Sequence, residues 1–233
     1  MNEIIATIIT FAIALGFLRL MDFLAQRGWI DSRLSRKLIH IGTGPIFVLC
    51  WLLYPNTPES RWLAALVPFM IVVQFALVGL GVMKDEAAVQ AMSRNGDRRE
   101  ILRGPLYYGI VFVVLTLVFW KNSPVGMTAL MLMCGGDGLA DIIGRRIASP
   151  KLAWSAEKSI AGSLGVFFGG WVLTALILFI YVSIGVFTKS FASYILPISI
   201  IALVGTLVES LPHKDVDNIT VTLAAVLVGL FLF

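Results

Sequence analysis

Residues 159–187 read SIAGSLGVFFGGWVLTALILFIYVSIGVF, a run of apolar and small residues without a single charged side chain. A helix needs roughly 20 apolar residues to cross the hydrocarbon core of a bilayer, so this run is long enough to span it. Seven further apolar segments cover residues 4–25, 38–54, 63–83, 105–120, 124–144, 191–209 and 219–233. The pattern predicts an all-α, polytopic membrane helical bundle of about seven to eight transmembrane helices, in which the last and shortest segment is either a full or a partial span.

The composition excludes an ordinary soluble protein. Of the 233 residues, 58% are hydrophobic and 14% are charged, whereas a soluble domain is roughly a quarter charged. The eight segments use most of the chain, so we expect a single domain over residues 1–233. Cys50 and Cys134 both lie in apolar segments, and two such cysteines form neither a disulfide framework nor a recognisable metal site.

Basic residues alternate along the chain. Fourteen of the 18 Lys and Arg residues lie in the odd-numbered connections, against three in the even-numbered ones and Arg19 within the first segment. Positive charge in short loops marks the cytoplasmic side. We therefore expect the odd connections on the cytoplasmic side and, with eight spans, both termini on the other side. The fourteen are Arg27, Arg33, Arg36, Lys37, Lys84, Arg94, Arg98, Arg99, Arg103, Arg145, Arg146, Lys151, Lys158 and Lys214.

The fifth segment carries acidic residues at membrane depth, in the stretch MCGGDGLADIIGRR at residues 133–146. Asp137 and Asp141 are four residues apart, so a helix presents both carboxylates on one face. Ionisable groups inside a membrane are functional by default, and a hard divalent cation such as Mg²⁺ relieves the repulsion between two carboxylates. The alternative is that the two acids only pair with Arg145 and Arg146.

Basic and small residues surround this acidic pair. The guanidinium and ammonium groups of Arg145, Arg146, Lys151 and Lys158 suit an oligophosphate chelated to Mg²⁺. Glycines beside Asp137 let a backbone or a ligand approach closely, and small residues repeat every fourth position in the sixth segment, as in closely packed membrane helices. These small residues are Gly135, Gly136, Gly138, Ala161, Gly165 and Gly169.

Two further polar clusters border the segments. In SRKLIHIGTG, residues 35–44, helical spacing puts Arg36 and Lys37 on a face with His40. This histidine either fills a core position or assists proton transfer or phosphate binding. In ESLPHKDVDN, residues 209–218, three carboxylates fall within nine residues, which indicates either a solvated loop or a second set of metal or nucleotide contacts.

The third connection, residues 84–105, is the longest polar stretch. Its mixed charge predicts a short helix, a turn at Asn95-Gly96 and a fourth span that begins at Pro105. It either covers the site or only connects two spans.

At these clusters the chain resembles the phytol kinases of oxygenic phototrophs, whose wider family includes farnesol kinase, dolichol kinase and, more distantly, integral-membrane phosphatidate cytidylyltransferase. The resemblance lies in RKLIHIGTG, KDEAAVQAMSRNGDRREILRGPLYYGIVF, MCGGDGLADIIGRR, KSIAGSLG and VESLPHKDVDNITV. It implies a single integral-membrane kinase domain that uses CTP to phosphorylate the hydroxyl of phytol, in salvage of phytol toward tocopherol. Val216 separates Asp215 from Asp217 where family members commonly carry adjacent acids, which favours Asp217 and Asn218 over Asp215.

Taken with the clusters, the resemblance implies roles for individual residues. We expect catalytic roles for Asp137, Asp141, Lys158 and His40. We expect Mg²⁺ to be held by Asp137, Asp141, Asp217 and Glu209. The residues expected to bind the nucleotide are Arg36, Lys37, Gly136, Arg145, Arg146, Lys151, Ser159 and Asn218.

Three alternatives remain open at this point. The acceptor could be another prenol, such as farnesol, geranylgeraniol or a dolichol-like alcohol, because tail pockets are built from interchangeable apolar residues. A cytidylyltransferase acting on a lipid phosphate would use the same CTP and Mg²⁺ but release pyrophosphate. A small-molecule transporter would more often show an internal repeat with interrupted helices, and the chain shows none.

The expected partners are CTP, a membrane-embedded prenyl alcohol and the lipid bilayer, without nucleic acid, and a homo-oligomer is compatible with the sequence. The expected location is the cell or thylakoid membrane of an oxygenic phototroph, with the site on the cytoplasmic side.

Overall fold

A computed structural model describes residues 1–93, 95–211 and 216–233, which form ten α-helices and one short hairpin. The hairpin strands are β1 (Lys151–Leu152) and β2 (Ser155–Ser159), and a π-helical turn covers Leu132–Gly136. The helices are α1 (Glu3–Gln26), α2 (Ser32–Cys50), α3 (Ser60–Leu80), α4 (Glu86–Met92), α5 (Gly104–Phe119), α6 (Pro124–Met131), α7 (Asp137–Arg146), α8 (Ile160–Ser183), α9 (Ala192–Glu209) and α10 (Asp217–Leu232).

The helices confirm the polytopic helical fold. Within the described residues, seven stretches are long and apolar enough to cross a membrane, and α10 is a shorter apolar helix. Helix ends follow local chemistry: the carboxylate of Asp31 accepts from the backbone N–H of Leu34 at 2.8 Å and caps α2, and the Ser159 hydroxyl accepts from the N–H of Gly162 at 3.2 Å and caps α8. Such caps satisfy amides that have no partner within the helix.

The two ends of the bundle collect different connections. At one end, Thr57 donates to the Glu3 carboxylate at 2.9 Å and Lys189 donates to the Phe233 carbonyl at 3.1 Å, so both termini lie beside even-numbered connections. We call the other end the charged end. It brings together the start of α2, the end of α7, the hairpin, the end of α9 and the start of α10. The described parts of the odd-numbered connections, which carry most of the basic residues, thus lie at one end of the bundle, in agreement with the alternation of charge in the sequence.

The interrupted span formed by α6, the π-turn and α7 lies at the centre of the bundle. In its most apolar window 67% of residues are buried, against 22–44% in the other six spans. Its backbone packs closely against α8. A Cβ on Gly135 would lie 2.5 Å from the carbonyl oxygen of Gly169 on α8, and a Cβ on Gly165 of α8 would lie 3.0 Å from the carbonyl oxygen of Leu139. The predicted stripe of small residues is therefore a helix-packing surface. The opposite face of α8 exposes Ile160, Leu164, Phe168, Val172, Leu176 and Phe179.

The hairpin was not predicted, because a strand of two residues is too short to show periodicity. β1 pairs antiparallel with β2, and the indole N–H of Trp154 donates to the Ser210 hydroxyl at 3.1 Å, which ties the hairpin to the end of α9. The third connection contains α4, a left-handed Gly96 and a helix with Pro105 in its first turn, as predicted.

Candidate active site at the charged end

A cavity of about 810 Å³ opens at the charged end and continues between α1, α2, α3 and α5. Ligand pockets typically measure roughly 300–1,000 Å³, so it can hold a substrate of moderate size. The acidic pair of the fifth segment, the two further polar clusters and the third connection all contribute residues to its wall. Its charged side chains are Arg33, Arg36, Lys37, Asp137, Asp141, Arg145, Lys151, Glu157, Lys158, Glu209 and Asp217.

Asp137 lies at the junction of the π-turn and α7, and residues of α2 hold it. Lys37 Nζ lies 3.2 Å from Asp137 Oδ2, and His40 Nε2 lies 3.2 Å from the same oxygen. His40 Nε2 is buried, but it is not aligned to form a hydrogen bond with Asp137 or with any other described residue. π-Turns inside α-helices occur frequently at functional sites, and here the turn ends where the carboxylate enters the cavity.

The His40 ring is held by a tyrosine that the sequence did not point to. The Tyr108 hydroxyl donates to the His40 carbonyl at 2.7 Å and lies 3.1 Å from Cys134 Sγ. The two ring centroids are 4.4 Å apart. Tyr108 therefore fixes the imidazole beside Asp137. A tyrosine in an apolar span carries no sequence signal for this contact.

Asp141 binds two arginines. Its Oδ1 accepts from Arg145 Nε at 2.7 Å, and its Oδ2 lies 3.4 Å from Arg33 Nε. The predicted pairing with an arginine of α7 is therefore found for Asp141, which contacts Arg145. Asp137 instead contacts Lys37 and His40 of α2. Arg146 is exposed and is not among the described residues that line the cavity.

Lys158 lies on β2 between two carboxylates from other elements. Its ammonium group contacts Glu209 and lies 3.2 Å from Asp217 Oδ2. Burial lowers the pKa of Lys158, but the two carboxylates outweigh burial and hold the pKa above its usual value. Lys158 is therefore a fixed cation in the cavity wall, and it contacts two of the four carboxylates predicted to bind metal, Glu209 and Asp217.

The other predicted nucleotide residues have separate environments. Arg36 Nη1 donates to the Ser93 carbonyl at 2.6 Å, which joins the third connection to α2. Lys151 donates to the Glu157 carbonyl at 2.9 Å, and Ser159 lines the cavity as the cap of α8.

Two further predicted residues, Asn218 and Gly136, differ in their relation to the cavity. Asn218 lines the cavity and donates to the Gly104 carbonyl at 3.3 Å. Gly136 faces Val166 of α8 and is not among the described lining residues. Asp215 lies outside the described residues.

The fit of a magnesium ion depends on the two acids of α7. Across the described ranges, no three His, Cys, Asp or Glu side chains come close enough together to hold a metal ion. Mg²⁺, however, usually binds through one or two carboxylates, with water and substrate phosphates as its remaining ligands. Asp137 and Asp141 lie one helical turn apart and line the same cavity, so they fit this mode of binding.

The inner part of the cavity, which we call the apolar limb, lies between the long apolar helices α1, α2 and α3 and the apolar helix α5. The sequence could not show which spans enclose it, because apolar helix faces look alike in sequence. It is lined by Thr10, Ala14, Phe17, Leu18, Ile46, Phe47, Cys50, Pro68, Ile71, Phe75 and Phe112.

Curated proteins match the chain over nearly its whole length. A Triticum aestivum protein named "Probable phytol kinase, chloroplastic" is 42% identical over 230 residues, covering 98% of this chain and 77% of its own length. An Arabidopsis thaliana protein named "Farnesol kinase, chloroplastic" is 38% identical over 235 residues, covering 100% of this chain and 76% of its own length. The chain belongs to the phytol and farnesol kinase family. No protein-family model matches it, and no solved structure does.

A further member of the phytol and farnesol kinase family shows how much of the site the match includes. An Oryza sativa subsp. japonica protein named "Probable phytol kinase 1, chloroplastic" is 41% identical over 235 residues, covering 100% of this chain and 75% of its own length. The charged end and the apolar limb therefore both lie inside the region shared with the family.

Proposed function

We propose that this protein is a prenol kinase that transfers the γ-phosphoryl group of CTP to the hydroxyl of a prenyl alcohol, with phytol as the acceptor. The observation that carries the proposal is the continuity of one cavity, which joins a charged end to an apolar limb. A phosphorylated head and a hydrocarbon tail need these two environments side by side. The relatives named phytol kinase and farnesol kinase support this acceptor class.

The basic residues of the charged end would bind the nucleotide. Phosphoryl transfer depends mainly on positioning and on neutralisation of charge. Arg33 and Arg145 keep 48% and 56% of their side chains exposed while they contact Asp141, so they can reach phosphates in the cavity. Lys158, held by Glu209 and Asp217, would neutralise charge that develops on the transferred group. The lysine's two carboxylates then act as its anchors.

Asp137 and Asp141 are the residues that would hold Mg²⁺. When bound, the ion supplies positive charge that neutralises the nucleotide phosphates. Lys37 at Asp137 and the two arginines at Asp141 hold both carboxylates in place.

The acceptor hydroxyl would lie where the apolar limb meets the charged end, beside His40 and Asp137. Its oxygen attacks the γ-phosphorus, the bond from that phosphorus to the β–γ bridging oxygen breaks, and CDP leaves. The hydroxyl proton passes to His40 Nε2, which is buried beside Asp137 and has no aligned hydrogen-bond partner among the described residues. Asp141 is the alternative acceptor of this proton.

We place the protein in a photosynthetic membrane with its charged end on the cytoplasmic side or, in a plastid, the stromal side. The names of the relatives, which include the word chloroplastic, support the location, and the alternation of basic residues supports the orientation. Arg146→Cys at the charged end and Lys189→Cys at the opposite end test it, because the native Cys50 and Cys134 are both buried. In sealed vesicles of known orientation, an impermeant maleimide added to the cytoplasmic face should label the first variant and spare the second. The reverse pattern would contradict the orientation.

Labelled CTP tests the reaction. Purified protein in detergent receives phytol, Mg²⁺ and CTP labelled at either the α or the γ phosphate. Transfer of the γ label alone into the lipid phase is the expected result. Transfer of the α label would indicate a cytidylyltransferase, and transfer of neither label to any prenol would contradict the proposal.

A further inference from the structure

We infer that the apolar limb binds the hydrocarbon tail of the acceptor, and that its floor at Thr10 and Cys50 limits the length of tail that the enzyme accepts. The inference rests on the proposed function and adds to it a determinant of substrate specificity.

The limb begins at the proposed reaction centre. α2 lines the cavity continuously from Arg33 at the charged end to Cys50 at the inner end. His40, beside Asp137, lies ten residues before Cys50 on this helix, and at about 1.5 Å per residue that separation is about 15 Å. A tail that extends from a hydroxyl at His40 would therefore follow α2 into the bundle.

The inner end of the limb is formed by Thr10 and Cys50, which have little exposed surface. Thr10 and Cys50 are 1% and 5% exposed, whereas Ala14 and Ile46, nearer the charged end, are half-buried. The Thr10 hydroxyl donates to the Ala6 carbonyl of its own helix at 2.8 Å. A floor of this kind stops a hydrocarbon chain without offering it a polar partner.

The dimensions fit a single prenyl chain. An extended chain covers about 3.5 Å per three bonds, so a four-bond isoprenoid repeat covers about 5 Å. A limb of about 15 Å along α2 therefore holds about three extended repeats, and a tail of four repeats, such as that of phytol, fills it in a bent conformation.

Ala14→Phe tests the inference by filling the limb. Ala14 lies four residues, or about 6 Å, from Thr10 on α1, so a ring there removes the room for about one repeat. We expect kcat/KM for phytol to fall at least about tenfold while that for the two-repeat alcohol geraniol stays within about twofold, since one misfitting group in an apolar pocket changes specificity by roughly 10–200-fold. Ile46→Phe on the opposite wall should act in the same direction.

Ala12→Phe is the matched control, because Ala12 lies on the same helix but is exposed and is not among the lining residues. It should leave the ratio of phytol to geraniol activity unchanged. The inference would be overturned if Ala14→Phe and Ile46→Phe lowered kcat/KM equally for phytol and geraniol. That result counts only if Ala12→Phe is fully active and all the proteins are equally stable.

Photo-crosslinking separates this inference from the proposed function. A prenol that carries a diazirine at the end of its tail should label peptides containing Thr10 or Cys50, and Ala14→Phe should abolish that labelling. Labelling there without any phosphoryl transfer would contradict the kinase proposal and leave the tail site standing. Phosphoryl transfer with labelling only elsewhere would overturn the tail site alone.

Discussion

Lys158→Met removes the cation that lies between Glu209 and Asp217. The Glu209 side chain is 6% exposed, so without Lys158 its negative charge is buried without this partner. Breaking a buried ion pair costs roughly 3–5 kcal/mol, and the 23% exposure of Lys158 favours the lower value. For a chain of about this size, 1 kcal/mol shifts the Tm by roughly 2–4 °C, so we expect the Tm to fall by about 6–12 °C.

A double variant separates stability from catalysis. Glu209→Gln in the Lys158→Met background removes the stranded charge, so the Tm should recover to within about 3 °C of the wild type, because replacing both partners of a buried pair is often neutral. Phosphoryl transfer should stay lost, since the cation is still missing. Lys151→Met, which removes an exposed lysine, controls for the loss of positive charge and should leave the Tm unchanged.

The assay is thermal unfolding of purified protein in detergent, paired with transfer of the γ label from CTP. Because the pKa of Lys158 is raised, its contribution to stability should persist at neutral pH and disappear only as the pH rises through that raised pKa. An unchanged Tm in Lys158→Met would refute the structural reasoning. Near-normal turnover in the double variant would refute the catalytic role of the lysine.

Three further predictions concern the rest of the site. Asp137→Asn should lower kcat at least about 100-fold in protein that still folds, because phosphoryl transfer depends on charge neutralisation; near-normal turnover would contradict its role. Arg145→Ala should raise the KM for CTP about tenfold, the loss expected for a charged hydrogen bond, and Arg146→Ala should not; equal effects would place Arg146 in the site. Gly169→Ala should destabilise the fold by about 1–3 kcal/mol by overpacking against Gly135 of the π-turn and Leu139 of α7, whereas Gly16→Ala, with open space around its Cβ, should not; unfolding in detergent compares the two.

The spans and their order were predictable because each is a long apolar run bounded by polar or capping residues. The predicted segment 4–25 differs by one residue at each end from α1 (Glu3–Gln26). The predicted segment 191–209 differs by one residue, at its start, from α9 (Ala192–Glu209). The stripe of small residues on α8 was also predictable, since close packing of helix backbones requires small side chains at regular spacing.

The partners of the site residues were not predictable in the same way. Spacing within α7 suggested arginine partners for Asp137, but the bundle brings Lys37 and His40 to it from a helix 100 residues earlier in the chain. The π-turn before Asp137 has no sequence signature, and the apolar limb arises from the packing of helices whose apolar faces look alike. Only three-dimensional contact reveals these features.

The central claim is that the acceptor's own oxygen attacks the γ-phosphorus of CTP. Phytol labelled with ¹⁸O in its hydroxyl, incubated with the protein, Mg²⁺ and unlabelled CTP, tests it directly by mass spectrometry of both products. The account predicts phytyl phosphate that retains the ¹⁸O as its bridging oxygen, together with an equal amount of CDP. Release of pyrophosphate, or loss of the ¹⁸O from the phosphorylated product, would contradict it.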